Sequence, residues 1–221
     1  MSTQPPGAIP SNLSLDSEGF AVVPAGCLAT VETSLERTTP PKPESYPLPT
    51  GFKLVHPNPV DLEDFKSLFR AVGDPWLWFG RLTKSDEDIL SILTTPMTTL
   101  RYLVHPSDGL VGLFEAQQQQ SETGNNDTLE VTYFGLVPEA TGKGLGPSLM
   151  EHGLAEAWSP SITSIWLHTC TFDSPAALSF YRRQGFRAFK QRLEIGPDPR
   201  LTGTLPRHVA PHIPLGDFSD P

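Results

Sequence analysis

The chain has 221 residues, a net charge of −9 and a sequence pI of about 5.1. Nucleic-acid binders gain much of their affinity from Lys and Arg on phosphates, so this acidic charge argues against a nucleic-acid partner. Two cysteines suggest neither a disulfide framework nor a zinc site, and no apolar run approaches the length of a membrane span. The N-terminus lacks the basic start and apolar stretch of a secretory signal. We expect a cytoplasmic protein of one domain plus tails, without metal or membrane association.

The first fifty residues precede the predicted core. Residues 1–19 are polar and contain proline, which predicts a disordered tail, and residues 20–50 hold a predicted strand followed by a Pro-rich linker. Apolar and polar residues alternate along Cys27–Leu35, which predicts a strand with one buried face. We expect this strand to add to an edge of the sheet, with an unstructured extension as the alternative. The apolar members are Cys27, Ala29, Val31 and Leu35, and the polar ones include Thr30, Glu32, Ser34 and Glu36.

Two helices are predicted early in the core. Asn58-Pro59 opens the first, because Asn is a good helix cap and Pro suits the first turn, and Gly73 ends it. Thr83 or Ser85 caps the second helix. The first helix carries apolar residues at helical spacing: Leu62, Phe65, Leu68, Phe69 and Val72.

Three strands are predicted around these helices. Gly51–His56 is a short strand, and Leu100–His105 pairs with Leu110–Gln117 as a hairpin across a Pro-Ser-Asp-Gly turn. We interpret Gln118–Asp127, which contains most of a glutamine run, as a flexible hairpin loop.

The most informative stretch runs from Leu129 to Trp158. Leu129–Val137 is a run of apolar and β-branched residues that predicts a buried strand, and Pro138–Gly146 is a glycine-containing loop. A helix pattern follows. A strand, a glycine loop and a helix start together present backbone N–H groups and a positive dipole end to an anion, which indicates a phosphate or pyrophosphate ligand.

Two common phosphate loops do not fit this stretch. A Walker loop would place Ser or Thr after its lysine, but Lys143 is followed by Gly144. A dinucleotide loop reads G-x-G-x-x-G, whereas this one reads G-x-G-x-G, and no acidic residue closes a second strand about twenty residues later.

A further strand, helix and strand complete the predicted core. Ser164–Cys170 is the strand, Asp173-Ser174-Pro175 opens the helix, and Gly185 ends it. Phe186–Ile195 is the last predicted strand. Residues 196–221 are rich in Pro and Gly and are interpreted as a tail or surface strap.

Two motifs in this core resemble those of one family. The first is Val137-Pro138 followed by Gly142-Lys143-Gly144-Leu145-Gly146, and the second is Ser174-Pro175-Ala176-Ala177, Tyr181 and Gly185-Phe186. Together they resemble the GCN5-related N-acetyltransferases, over roughly residues 52–195, and we take 51–195 as the acetyltransferase domain. Thr141 stands where the family usually has Arg or Gln, and Ser174 stands where it usually has Asn.

The resemblance implies an α/β fold and a cofactor. The expected fold is a mixed, mostly antiparallel sheet with helices on both faces and an added N-terminal strand. Acetyl-CoA is the implied co-substrate, with its pantetheine arm in a gap where the central strand splays from the next one. The implied cofactor-binding residues are Leu136, Val137, Thr141, Gly142, Lys143, Gly144, Leu145, Gly146, Ser174 and Ala177.

The resemblance also implies catalytic residues. Tyr181 matches the tyrosine that protonates the departing CoA sulfur. Glu130 is the first candidate for the base that deprotonates the amine, with His168 second and Glu115 as a further rival. By strand alternation, Glu130 should share a face with residues 132, 134 and 136.

The expected reaction is direct acetyl transfer to a primary amine, of a small molecule, in a ternary complex. Trp76 and Trp78 lie in the region expected to form the acceptor pocket, with Glu115 beside them, although a Trp is also a common core residue. A non-catalytic acyl-CoA-binding regulatory module is the alternative, and a homodimer is left open.

Overall fold

The computed structural model describes residues 14–120 and 127–218, and within these ranges it contains a seven-stranded sheet and four α-helices. The strands are β1 (Cys27–Arg37), β2 (Lys53–Val55), β3 (Thr98–His105), β4 (Gly109–Gln119), β5 (Asp127–Leu136), β6 (Ile162–Cys170) and β7 (Arg187–Pro197). The helices are α1 (Leu62–Gly73), α2 (Asp86–Thr94), α3 (Leu145–Ala157) and α4 (Ala177–Arg183). None of the helices in the described ranges has the length and hydropathy needed to span a bilayer.

The sheet has the strand order β2-β3-β4-β5-β6-β1-β7. Its neighbouring strands are antiparallel except for β5 and β6, which run parallel. Residues of α1 and α2 form a core with one face of the sheet, and residues of α3 and α4 pack with the other. This arrangement confirms the predicted mixed, mostly antiparallel sheet with helices on both faces.

The N-terminal strand lies inside the sheet, so its predicted edge position is wrong. β1 is hydrogen-bonded to β6 on one side and to β7 on the other. The predicted burial pattern is also wrong, because Glu32 is buried while Val31 is 39 % exposed. The buried carboxylate of Glu32 is accommodated because Arg192 on β7 donates to it at 2.7 Å. A period-two pattern cannot register such a cross-strand partner, which lets a charged side chain occupy a buried position.

Several predicted element boundaries need correction. Helix α1 is capped by Asp61, whose carboxylate accepts from two backbone N–H groups, and the Asn58–Pro59 bond before it is cis. Ser85 caps α2. Gln118 and Gln119 belong to β4 rather than to a loop, and residues 121–126 of that predicted loop lie outside the described residues, as do residues 1–13 of the predicted tail.

The C-terminal segment, residues 198–217, is more than a surface tail. Asp198 and Arg200 form an ion pair at 2.9 Å and are 0 % and 3 % exposed. The Arg200 guanidinium also donates to backbone carbonyls of residues 209, 210, 213 and 214, which ties the segment into a loop. Its apolar side chains pack in a third core around Leu77: Leu205, Val209, Ala210 and Ile213.

We predict that Asp198→Asn lowers the free energy of unfolding by about 3 kcal/mol at neutral pH, because it leaves the Arg200 charge buried and unpaired. Urea denaturation is the measurement, and Asp217→Asn is the control, because the Arg207–Asp217 pair is exposed and contributes about 0.5 kcal/mol or less. Equal losses in the two variants would contradict the anchoring role.

The difference in unfolding free energy between wild type and Asp198→Asn should depend on pH. Burial alone raises the pKa of Asp198, but hydrogen bonds from Arg200 and Gly216 outweigh burial and hold the pKa below its usual value. The stabilisation is therefore fully present above the ordinary Asp pKa of about 4 and is lost as the pH falls through the lowered pKa. The stability gap between wild type and Asp198→Asn should narrow in acid.

Candidate active site

A cavity of about 740 Å³ opens where the central strands separate. The parallel pairing of β5 and β6 ends at Glu130 and Trp166, although β5 continues to Leu136 and β6 to Cys170. Beyond that point the two strands leave a gap between them. Residues of both strand ends line the cavity, including Phe134 on β5 and His168 on β6. The predicted splaying of the central strand is thus present in the structure.

A β-bulge in β5 reverses the side to which its residues point. Val131 pairs with Ala116 and Tyr133 pairs with Glu115, so Thr132 is the extra residue. Its hydroxyl donates to the Glu115 carbonyl at 3.1 Å and to the Glu115 carboxylate at 3.0 Å. As a result Val131 and Phe134 both face the core beneath α3, whereas Tyr133 faces α1.

Because of the bulge, Glu130 lies on a different face of the sheet from the one predicted. Strict alternation placed it on the face of Phe134 and Leu136, but it lies before the bulge and faces the opposite side. There its carboxylate accepts from the Gln119 amide at 2.8 Å, and it is not part of the cavity wall. Burial is the main cause that raises the pKa of Glu130, while nearby His168 and Arg81 oppose this.

The glycine loop forms one end of the cavity. Gly142 and Gly144 adopt φ angles of +72° and +76°, and a Cβ at either position would meet no atom within 4 Å. Their backbone is therefore accessible at the start of α3, where N–H groups lack helical partners. The Thr141 hydroxyl donates to the Pro138 carbonyl at 2.7 Å, so it is already used within the loop.

Most of the predicted cofactor-binding residues are brought together, but two are not. Val137 and Lys143 line a second, smaller cavity of about 290 Å³. The Val137 N–H donates to the Val111 carbonyl at 3.0 Å, so it is not free for a ligand. The predicted residues that line the main cavity are Leu136, Thr141, Gly142, Gly144, Leu145, Gly146, Ser174 and Ala177.

Tyr181 lines the main cavity. Its ring contacts those of Phe134, Phe180 and Phe186 at centroid distances of 6.3, 5.4 and 6.2 Å. Burial, together with the nearby Asp173 carboxylate, raises the pKa of Tyr181 well above its usual value. The hydroxyl therefore remains protonated at neutral pH.

Asp173 is a site residue that the sequence reasoning missed. It was interpreted as a helix opener, but α4 begins later, at Ala177. One carboxylate oxygen accepts from the Thr169 hydroxyl at 2.7 Å and from the Cys170 N–H at 2.9 Å. The other accepts from the Trp78 indole N–H at 3.3 Å. The available signal is its place in the loop just after the end of a strand, because functional side chains concentrate in such loops.

Both predicted tryptophans line the cavity. Trp78 also packs against Phe69 and Tyr133, with ring centroids at 5.7 and 5.3 Å, so it belongs to the core as well. Trp76 meets the ring of His212 from the C-terminal segment at 5.7 Å. Trp78 therefore connects the cavity with the core around α1, and Trp76 connects it with the C-terminal segment.

Glu115 does not reach the cavity wall, so its predicted role in acceptor binding is not supported by its position. Its side chain is 0 % exposed and forms an ion pair with Arg81. The Arg81 guanidinium lies 4.9 Å from the centroid of the Tyr133 ring. His168, in contrast, is exposed and lines the cavity.

Comparison with known proteins identifies the family. A profile of the acetyltransferase (GNAT) family matches residues 67–186, which is more than half of the chain. The chain belongs to this family. A segment of 94 residues is 31 % identical to the mycothiol acetyltransferase of Arthrobacter sp. (strain FB24), and it covers 42 % of this chain and 29 % of that protein.

Solved structures show the same GNAT fold at low sequence identity. A GCN5-related N-acetyltransferase from Sphaerobacter thermophilus has a TM-score of 0.53 and 16 % identity, covering 78 % of this chain and 52 % of that one. Naa50 of Arabidopsis thaliana, solved with the bisubstrate analogue CoA-Ac-MVNAL, has a TM-score of 0.50 and 19 % identity, covering 64 % of this chain and 86 % of that one.

GNAT acetyltransferases use acetyl-CoA, and the observed loop fits its pyrophosphate. The accessible backbone at Gly142 and Gly144 lies at a helix N-terminus, which favours an anion. The Ser174 hydroxyl, at the position where the family usually has Asn, accepts from the Ala176 N–H at 3.3 Å. Across residues 14–120 and 127–218, no group of three or more His, Cys, Asp or Glu side chains is arranged to hold a metal ion.

We predict that Gly144→Val abolishes acetyl-CoA binding, because the branched side chain disfavours the left-handed backbone and blocks the ligand's approach. The measurement is the rise in melting temperature with acetyl-CoA; about a hundredfold excess over Kd adds about 2.7 kcal/mol to wild type. Gly203→Val is the matched control, since Gly203 has φ +84° and equally open surroundings but lies in the C-terminal segment. Retention of the shift in Gly144→Val would contradict the loop assignment.

Proposed function

We propose that this protein is an acetyl-CoA-dependent N-acetyltransferase that acetylates a primary amine of a small molecule by direct attack in a ternary complex. The observation that carries the proposal is the continuity of the main cavity. One space extends from the glycine loop, past Tyr181, to His168 and Trp76. A donor in the loop and an acceptor at the far end would therefore meet beside Tyr181.

In this proposal, two parts of the chain hold acetyl-CoA, which supplies the activated acetyl group. The backbone N–H groups around Gly142–Gly146 bind the pyrophosphate. The gap between β5 and β6 takes the pantetheine arm, because pairing between those strands has ended there. Backbone groups of β5 beyond the bulge that point toward β6 are free to hydrogen-bond the arm and the thioester oxygen.

Tyr181 is the proposed proton donor to the CoA sulfur. As the amine attacks the thioester carbon and the C–S bond breaks, the thiolate needs a proton. The Tyr181 hydroxyl lies within the cavity, has no hydrogen-bond partner among the described residues, and remains protonated because its pKa is raised. These features suit a general acid.

His168 is a better candidate base than Glu130 in this geometry. A base must reach the proton it removes, directly or through one water. His168 lies on the cavity wall, whereas Glu130 does not line the cavity and its carboxylate is hydrogen-bonded to Gln119.

Amine-dependent release of CoA tests the function. We predict that Tyr181→Phe lowers kcat about a hundredfold, the size typical of a lost general acid, with little change in the acetyl-CoA melting shift. Tyr46→Phe is the control, because Tyr46 lies in the linker away from the cavity. An unchanged kcat would remove Tyr181 from the mechanism. An acetyl-CoA melting shift without turnover of any amine would instead favour the non-catalytic binding module.

The two candidate bases can be separated directly. We predict that His168→Gln lowers kcat about a hundredfold, while Glu130→Gln changes it by less than about threefold, because only His168 reaches the cavity. Both substitutions keep a side chain of similar size that can hydrogen-bond. Steady-state kinetics with saturating acetyl-CoA is the measurement. The reverse ranking would restore Glu130 as the base.

A further inference from the structure

The acceptor end of the main cavity has an apolar wall built from distant parts of the chain. Six side chains form this wall, from β1, from the loop after α1, from the loop after β6 and from the C-terminal segment: Leu28, Trp76, Leu77, Phe79, Phe172 and Pro199. Phe79 is 38 % exposed, so part of its ring is open to the cavity or to solvent. Apolar surface left open in a concave site is typical of a ligand contact.

The C-terminal segment holds this wall in place. Leu77 is 4 % exposed and packs in the third core, against which Leu28 and Phe172 also lie. The buried ion pair of Asp198 and Arg200 fixes the start of the segment next to Pro199. Three of the six wall residues, Leu28, Leu77 and Phe172, are therefore fixed by packing in or against this core.

The charges at this end are negative. Glu194 on β7 and Asp173 both line the cavity, and among the described lining residues the one guanidinium is that of Arg183, which donates to the Ser179 hydroxyl on its own helix α4. A carboxylate or phosphate on the acceptor would meet these carboxylates without a cation to pair with. Desolvating an unpaired charge is costly, so such an acceptor would bind poorly.

We infer that the acceptor is a primary amine carried on an apolar, ring-sized body with no carboxylate or phosphate beside the amine. This inference rests on the proposed acetyl transfer. The apolar wall takes the ring, the amine lies near His168, and the nearby carboxylates attract its ammonium form. A sugar amine would leave several hydroxyl groups against the apolar wall without hydrogen-bond partners.

Matched pairs of amines test the inference. CoA release is measured with acetyl-CoA and tryptamine against tryptophan, phenethylamine against phenylalanine, and glucosamine as a polar amine. We expect each amine without the carboxylate to exceed its amino acid in kcat/KM at least about tenfold, and both to exceed glucosamine. Equal values within the pairs, or a preference for glucosamine, would overturn the inference.

A charge-reversal variant tests the electrostatic part. Glu194→Lys places a cation at the acceptor end, so the preference for tryptamine over tryptophan should fall about tenfold. Glu36→Lys makes the same change in net charge at an exposed β1 position outside the cavity, and it should leave the preference unaltered. An unchanged preference in Glu194→Lys, or the same change in both variants, would overturn this part.

A truncation tests the apolar wall. Phe79→Ala should lower kcat/KM for tryptamine about tenfold and leave the acetyl-CoA melting shift intact. Leu193→Ala is the control, because Leu193 is an exposed apolar residue outside the cavity, and it should change neither quantity. Full activity of Phe79→Ala would contradict contact between the acceptor and the apolar wall. Failure of the inference differs from failure of the function: in the first case other amines release CoA, and in the second neither a melting shift nor CoA release occurs.

Discussion

The separation of β5 from β6 is the constraint on which the site depends. Paired strands would fill the space with backbone hydrogen bonds and leave no room for a ligand. Here the pairing ends just before the bulge at Thr132, where a buried network of the Thr132 hydroxyl, the Glu115 carboxylate and the Arg81 guanidinium holds the irregular backbone. Glu115, which the sequence suggests as an acceptor-binding residue, thus supports the strand geometry that opens the cavity.

Strand β1 and the C-terminal segment complete the sheet and the wall of the cavity. β1 lies between β6 and β7, and the C-terminal segment packs behind the apolar wall of the acceptor end. The family profile matches residues 67–186, so these two parts lie outside the matched region. The glycine loop lies within the matched region, whereas Leu28 and Pro199, which also line the cavity, lie outside it.

Asp173 connects the two ends of the cavity. Its carboxylate accepts from β6 through Thr169 and Cys170 and from the loop after α1 through Trp78, and its charge helps to raise the pKa of Tyr181. Because this one side chain is hydrogen-bonded both to β6 and to the loop after α1, a shift of either would be transmitted to the other.

Local features of this protein could be determined from the sequence by itself. Neighbouring residues set the strand, glycine loop and helix around Gly144, because positive φ angles and helical spacing are properties of short segments. The same holds for the motif from Ser174 to Phe186 that contains Tyr181. The family resemblance and the mixed sheet followed from them. The interior position of β1, the reversed face of Glu130, the burial of Glu115 and the role of Asp173 were decided only by the tertiary structure. Each depends on a partner far away in the sequence, and an alternation pattern does not register a bulge or a cross-strand ion pair.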